Sequence, residues 1–253
     1  MFIRTESFKD FIRFYPLITA IVIFQLALWL CSMLIPPLGD VIYQYGVGQN
    51  YLISQGQYWR LVTAVFLHDP NGITHVLFNC FSLVLFGPPL EQMLGKFKFF
   101  LTYLLTGVIA NVLTLFSEPS NYFYLGASGA VYGLFGLYIF IIVLRKHLID
   151  RGSAQVIVTI LVIGLIMSFM RSGVGVSAHI FGFISGFALG PVLLQNAKPF
   201  SPYRNQRKQK DQSIPFDPNR WNKRRFPFKK YIGPVLWGIL GLLVLLGIMA
   251  RFL

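Results

Sequence analysis

Residues 125–144 read LGASGAVYGLFGLYIFIIVL, twenty positions without a charge and with a serine, Ser128, close to their start. That is about the length of apolar chain a helix needs to cross the hydrocarbon core of a bilayer. A second uncharged run, Val174–Leu194, carries His179 near its own start. A hydroxyl and an imidazole held at membrane depth are costly, and groups of that kind mark functional sites. The pair points to hydrolytic chemistry inside a membrane.

The rest of the chain agrees with a membrane setting. Of 253 residues, 55% are hydrophobic and 12% charged, 25 are Phe, and the mean hydropathy is +0.62. So little charge cannot cover the surface of a soluble domain. Seven stretches are long and apolar enough to span: Pro16–Ile35, Ile73–Leu90, Phe99–Phe116, Leu125–Leu144, Ala154–Met170, Val174–Leu194 and Ile232–Met249. Each is expected as a helix, because an open strand edge cannot be satisfied in lipid. The fold class is therefore all-α, a polytopic membrane helical bundle.

The net charge of +13 would suit a nucleic-acid binder, but its distribution argues for topology instead. With the N-terminus taken as cytoplasmic, the inner segments hold nineteen Lys and Arg, and the outer segments only Arg60, Arg171 and Arg251. The positive-inside rule then sets the N-terminus in and the C-terminus out. Nucleic acid is not an expected partner. Cys31 and Cys80 both fall in predicted spans and read as small apolar fillers rather than a disulfide framework. Residues 1–15 mix basic and acidic side chains and lack the character of a signal or transit peptide, so a bacterial plasma membrane is expected.

The organisation predicted is a cytoplasmic segment 1–15, a six-helix membrane domain 16–195, a loop 196–231 and a seventh helix within 232–253. The outer loop 36–72 carries Tyr43, Tyr45, Tyr51, Tyr58 and Trp59 and is expected at the interface, where aromatic rings are favoured. The loop 196–231 is rich in Pro, Lys and Arg and is expected to be extended and drawn to anionic inner-leaflet lipid.

Spans two, four and six run in the same direction. His75, Asn79, Ser128 and His179 all lie near the outer ends of those spans, within roughly 10 Å of that interface at a helical rise of about 1.5 Å per residue. On span six, Gly182, Gly186 and Gly190 follow His179 at offsets of 3, 7 and 11, which keeps them on its face. Gly129, Gly133 and Gly136 form a stripe beside Ser128. Such stripes let membrane helices approach closely, although generic packing gives the same pattern. No aspartate lies in any span and no HExxH occurs, so neither a paired-aspartate site nor a metal site is expected. No carboxylate lies between Leu125 and Leu144 or between Ala154 and Leu194, so a serine nucleophile would work with histidine alone.

Five motifs in order resemble the rhomboid family of intramembrane serine proteases. They are Trp59-Arg60, His75-x-x-x-Asn79, Glu91-Gln92-Met93-Leu94-Gly95, Gly126-Ala127-Ser128-Gly129 and Ala178-His179-Ile180-Phe181-Gly182. The resemblance covers roughly Tyr58 to Leu194 and implies a six-helix core with one added C-terminal helix. It implies Ser128 as nucleophile and His179 as base. Asn79, His75 and the Ser128 backbone N–H would form an oxyanion hole, and Tyr132 would pack on the histidine ring. Gly126, Gly129 and Gly182 would support the site. Trp59-Arg60 would brace the outer loop, Glu91 would cap or pair at the inner boundary, and His68 would be structural. Transmembrane proteins are the implied substrates, and no cofactor is implied. Two alternatives stay open: a catalytically silent relative that binds membrane proteins, and a small-solute transporter.

Overall fold

The computed structural model describes residues 1–2, 6–170 and 175–201. The predicted seventh helix and nearly all of the basic loop lie outside the described residues.

Ten α-helices and one short antiparallel strand pair are found there. They are α1 (Phe8–Phe14), α2 (Pro16–Leu34), α3 (Pro36–Gly46), β1 (Gly48–Gln49), α4 (Asn50–Ser54), α5 (Arg60–Thr63), α6 (Ile73–Leu94), α7 (Lys96–Ser117), β2 (Phe123–Tyr124), α8 (Ser128–Leu144), α9 (Arg151–Met170) and α10 (Val176–Leu193). Five of them, α2, α6, α7, α9 and α10, are long and apolar enough to cross a membrane, and α8 is a shorter apolar helix. These six correspond to the first six predicted spans.

Helix α8 is the axis of the bundle. Every residue from Gly129 to Tyr138 is buried, Tyr132 included. A helix apolar on all sides belongs at the centre of its fold, and this one packs most extensively on α10 and then α7. The apolar pattern predicts a start for this helix at Leu125. It starts at Ser128, because two non-local restraints hold the chain from Phe123 to Gly126 out of helical conformation. Phe123 and Tyr124 pair with Gln49 and Gly48, and the Gly126 N–H donates to the Ala64 carbonyl at 2.9 Å. Ser128 is therefore the first residue of its helix, not one turn inside it.

The turn from α6 to α7 is a single residue, Gly95, with φ at 80°. At the same end of α6, buried Glu91 accepts the N–H groups of Leu17 (3.3 Å) and Ile18 (3.1 Å). Those are orphan donors in the first turn of α2, so the carboxylate caps that helix as expected.

The outer loop is mostly helical and tightly braced. Arg60 is buried and has carbonyl and amide acceptors around it. Its Nη1 donates to the Val47 carbonyl at 2.7 Å, Nη2 to Gln44 at 2.6 Å and Nε to the Gln57 side chain at 2.7 Å. Trp59 Nε1 donates to the Tyr45 carbonyl at 2.9 Å. Asn111 on α7 reaches up to the Leu61 carbonyl at 2.8 Å. The loop is thus fixed to both the bundle and the segment that leads into Ser128.

Candidate active site

The site is built where α8 crosses α10. A β-carbon added at Gly182 would stand 2.0 Å from the Gly129 carbonyl oxygen, and one at Gly186 would stand 1.8 Å from that of Gly133. Backbone meets backbone at both places. Gly136 continues the contact, its added β-carbon 2.0 Å from the Phe183 carbonyl oxygen. The glycine offsets on α10 therefore do face α8. The α8 stripe divides its work, since Gly133 also packs against the Thr106 side chain of α7.

This crossing brings the Ser128–Gly129 step beside Ala178–His179. The Ala178 carbonyl oxygen is 3.5 Å from where a Gly129 β-carbon would be. Ser128 is half-buried, and its hydroxyl makes no hydrogen bond to another described residue. His179 is buried, with its ring stacked on Tyr132 at 4.3 Å between centroids and 17° between planes. Its Nδ1 lies 2.8 Å from Ser168 Oγ on α9. The two helix ends are brought together, but no hydrogen bond joins Ser128 to His179.

His75 occupies the space above Gly126. A β-carbon at Gly126 would stand 2.7 Å from His75 Nε2 and 3.8 Å from Ser128 Oγ. With φ at 127° as well, position 126 admits only glycine. Asn79, one turn along α6, is buried and donates through Nδ2 to the His75 carbonyl at 3.0 Å. At the start of α8 the Val131 N–H closes the first helical bond, to Ala127 at 2.9 Å. The N–H groups of Ser128, Gly129 and Ala130 thus have no carbonyl within the helix, and the helix dipole adds positive potential there. These groups can stabilise negative charge on an oxygen placed beside Ser128.

His68 lies against His75, with ring centroids 5.1 Å apart and planes at 66°. It is 2% exposed, and neither ring nitrogen makes an aligned hydrogen bond. Burial, then the neighbouring His75, hold its pKa down at about 3, offset in part by the Phe66 carbonyl. Below about pH 6.5 the unfolded chain takes up a proton that the folded imidazole refuses, so stability falls with pH across that window. Acidification from pH 7 to 4 is expected to lower the melting temperature in detergent. The His68→Leu variant should lose less over the same interval, and parallel curves for the two proteins would refute this account.

The sequence reading misses Ser168. It is the one hydroxyl near the C-terminal end of α9, whose direction is opposite to that of α8 and α10, so it reaches the same end of the bundle. A depth comparison extended to the oppositely running spans would find it.

Serine, histidine and asparagine gathered at one end of an apolar helical bundle place this chain among multi-pass membrane proteins with a built polar site. The rhomboid domain profile matches residues 55–196. The rhomboid protein YdcA of Bacillus subtilis is 44% identical over 196 residues, which cover 77% of this chain and 97% of YdcA. The rhomboid protease GluP of the same organism is 34% identical over 148 residues, 58% of this chain and 28% of GluP. Rhomboid-like protease 1 of Toxoplasma gondii is 31% identical over 158 residues, 61% of this chain and 53% of that protein. The chain thus spans nearly all of YdcA and about half or less of the other two. It belongs to the rhomboid family.

Proposed function

We propose that the protein is an intramembrane serine protease that hydrolyses peptide bonds in or beside transmembrane segments of other proteins. The observation that carries this reading is the α8–α10 crossing, which sets Ser128 and His179 at adjoining helix ends with His75 and Asn79 alongside. Ser128 Oγ attacks the scissile carbonyl while His179 takes its proton. The tetrahedral oxyanion is received by the Ser128 N–H, Asn79 and His75. His179 then gives its proton to the leaving amine, and water repeats the sequence to release the acyl group.

The substrate helix must unwind before its carbonyls are accessible, because in lipid they are held in its own hydrogen bonds. Entry is sideways, past α9. That helix is the least enclosed of the five long helices, with 22% of its apolar stretch buried against 28 to 50% for the others. The distribution of Lys and Arg supports a cytoplasmic N-terminus, a site near the outer face and an inner loop 196–231 lying on anionic lipid. A bacterial cell membrane is the expected location.

A fluorophosphonate probe applied to the detergent-solubilised protein should label one residue, Ser128, in a time-dependent manner. Absence of labelling, or labelling elsewhere, would favour the silent relative that only binds membrane proteins. Replacing the Asn79 side chain removes one oxyanion donor. The Asn79→Ala variant should turn over a transmembrane substrate on the order of 10²–10³-fold more slowly with little change in KM. An unaltered kcat would show that the hole is made from other groups.

A further inference from the structure

Three helices share one hydroxyl. Ser168 on α9 is 5% exposed, and its Oγ lies 2.8 Å from His179 Nδ1 on α10, 3.1 Å from the Tyr132 hydroxyl on α8 and 2.7 Å from the Gly164 carbonyl of its own helix. A serine hydroxyl has one proton to give and two lone pairs to receive with. The Gly164 carbonyl can only accept. One arrangement of protons satisfies all three contacts at once: Ser168 donates to Gly164, and Tyr132 O–H and His179 Nδ1–H donate to Ser168.

We propose that Ser168 is a positioning residue for His179, its oxygen accepting the Nδ1 proton so that Nε2 keeps its lone pair for the nucleophile. This rests on His179 acting as the base for Ser128. Which ring nitrogen of a histidine carries the proton is set by the partner of the other, and a mis-set tautomer leaves a base unable to accept. In serine hydrolases with three members a carboxylate does this. Helices α8, α9 and α10 contain no Asp or Glu, so no carboxylate from them is available. A buried hydroxyl does the same orienting without a buried charge, which would be costly at this depth. Tyr132 contributes twice, stacking on the ring and donating to the oxygen that holds it.

The titratable groups facing His179 are His75 on α6 and Tyr132 on α8, and from α9 only the neutral Ser168. Ser168→Ala removes the acceptor of a proton that is held most tightly when the ring is charged. The acid limb of kcat/KM should therefore move to lower pH. In detergent, with a transmembrane peptide substrate, Ser168→Ala should lower kcat about 10- to 100-fold and leave KM within about twofold. Ser168→Thr keeps the hydroxyl and should recover most of the rate and the wild-type acid limb.

A wild-type rate and acid limb in Ser168→Ala would overturn the proposal. So would equal impairment of the Ala and Thr variants with an unmoved acid limb, which would assign Ser168 to packing alone. Should Ser168→Ala fail to fold, the ¹⁵N spectrum of the histidine-labelled wild-type protein decides. The His179 signals, assigned by difference from His179→Gln, should show Nδ1 protonated and Nε2 bare above neutral pH. The opposite tautomer overturns the proposal. Activity surviving in Ser128→Ala would instead sink the protease reading itself, whatever Ser168 does.

Discussion

The Ser128→Ala variant is expected to fold as the wild type does and to lose cleavage of a transmembrane substrate by on the order of 10⁵–10⁶-fold. The first half follows from the structure, the second from the role proposed for Ser128. The Ser128 hydroxyl makes no hydrogen bond to another described residue, and the residue opens its helix half-buried, so deleting one oxygen removes no support from the bundle. The glycine crossing, the Tyr132–His179 stack and the His75 contact over Gly126 all remain. What goes is the atom proposed to form the acyl bond. A residual rate from donors alone would still be expected, because an oxyanion hole polarises a carbonyl without a nucleophile. The measurement is turnover together with thermal unfolding. Near-normal turnover in a folded variant would end the serine mechanism.

The second large effect concerns the fold. Gly186→Val should cost more than about 3 kcal/mol and yield little folded protein. Its β-carbon would lie 1.8 Å from the Gly133 carbonyl oxygen and 2.6 Å from the carbonyl carbon. Neither atom can rotate away, since both belong to the backbone of the central helix. Relief requires α10 to back off along its whole contact with α8, which also breaks the Gly182–Gly129 contact beside the site. Gly152 is the internal control: a β-carbon there meets only an Asp150 carboxylate oxygen at 3.5 Å. Gly152→Ala should be neutral or stabilising by a few tenths of a kcal/mol, as helix propensity favours alanine. Equal melting temperatures for Gly186→Val and wild type would refute the backbone contact.

Much of this is legible in the residues. Lengths of apolar chain mark the six helices, because lipid leaves the backbone no other way to satisfy itself. The offsets of Gly182 and Gly186 from His179 name the face of α10 that meets α8, since helical periodicity is a local property. The family resemblance implies a brace at Trp59-Arg60, but the acceptors of Arg60 at Gln44 and Val47 come from chain geometry that no local pattern encodes. The start of α8 differs from its expected position by three residues for the same reason. Its boundary is set by Gly48 and Gln49, far back in the chain. Ser168 escapes notice because a serine in an apolar helix looks like packing until its neighbours are known.

The two-residue ladder between β1 and β2 has a mechanical consequence. Gly48 lies beneath the Tyr124 ring, where a β-carbon would come within 2.3 Å of it, and four residues later the chain reaches Ser128. The height of the Ser128 hydroxyl is thereby gauged against the protein's own outer collar rather than against the surrounding lipid. Bilayers of different thickness can tilt the peripheral rods, as mismatch demands, while that hydroxyl stays moored at one level.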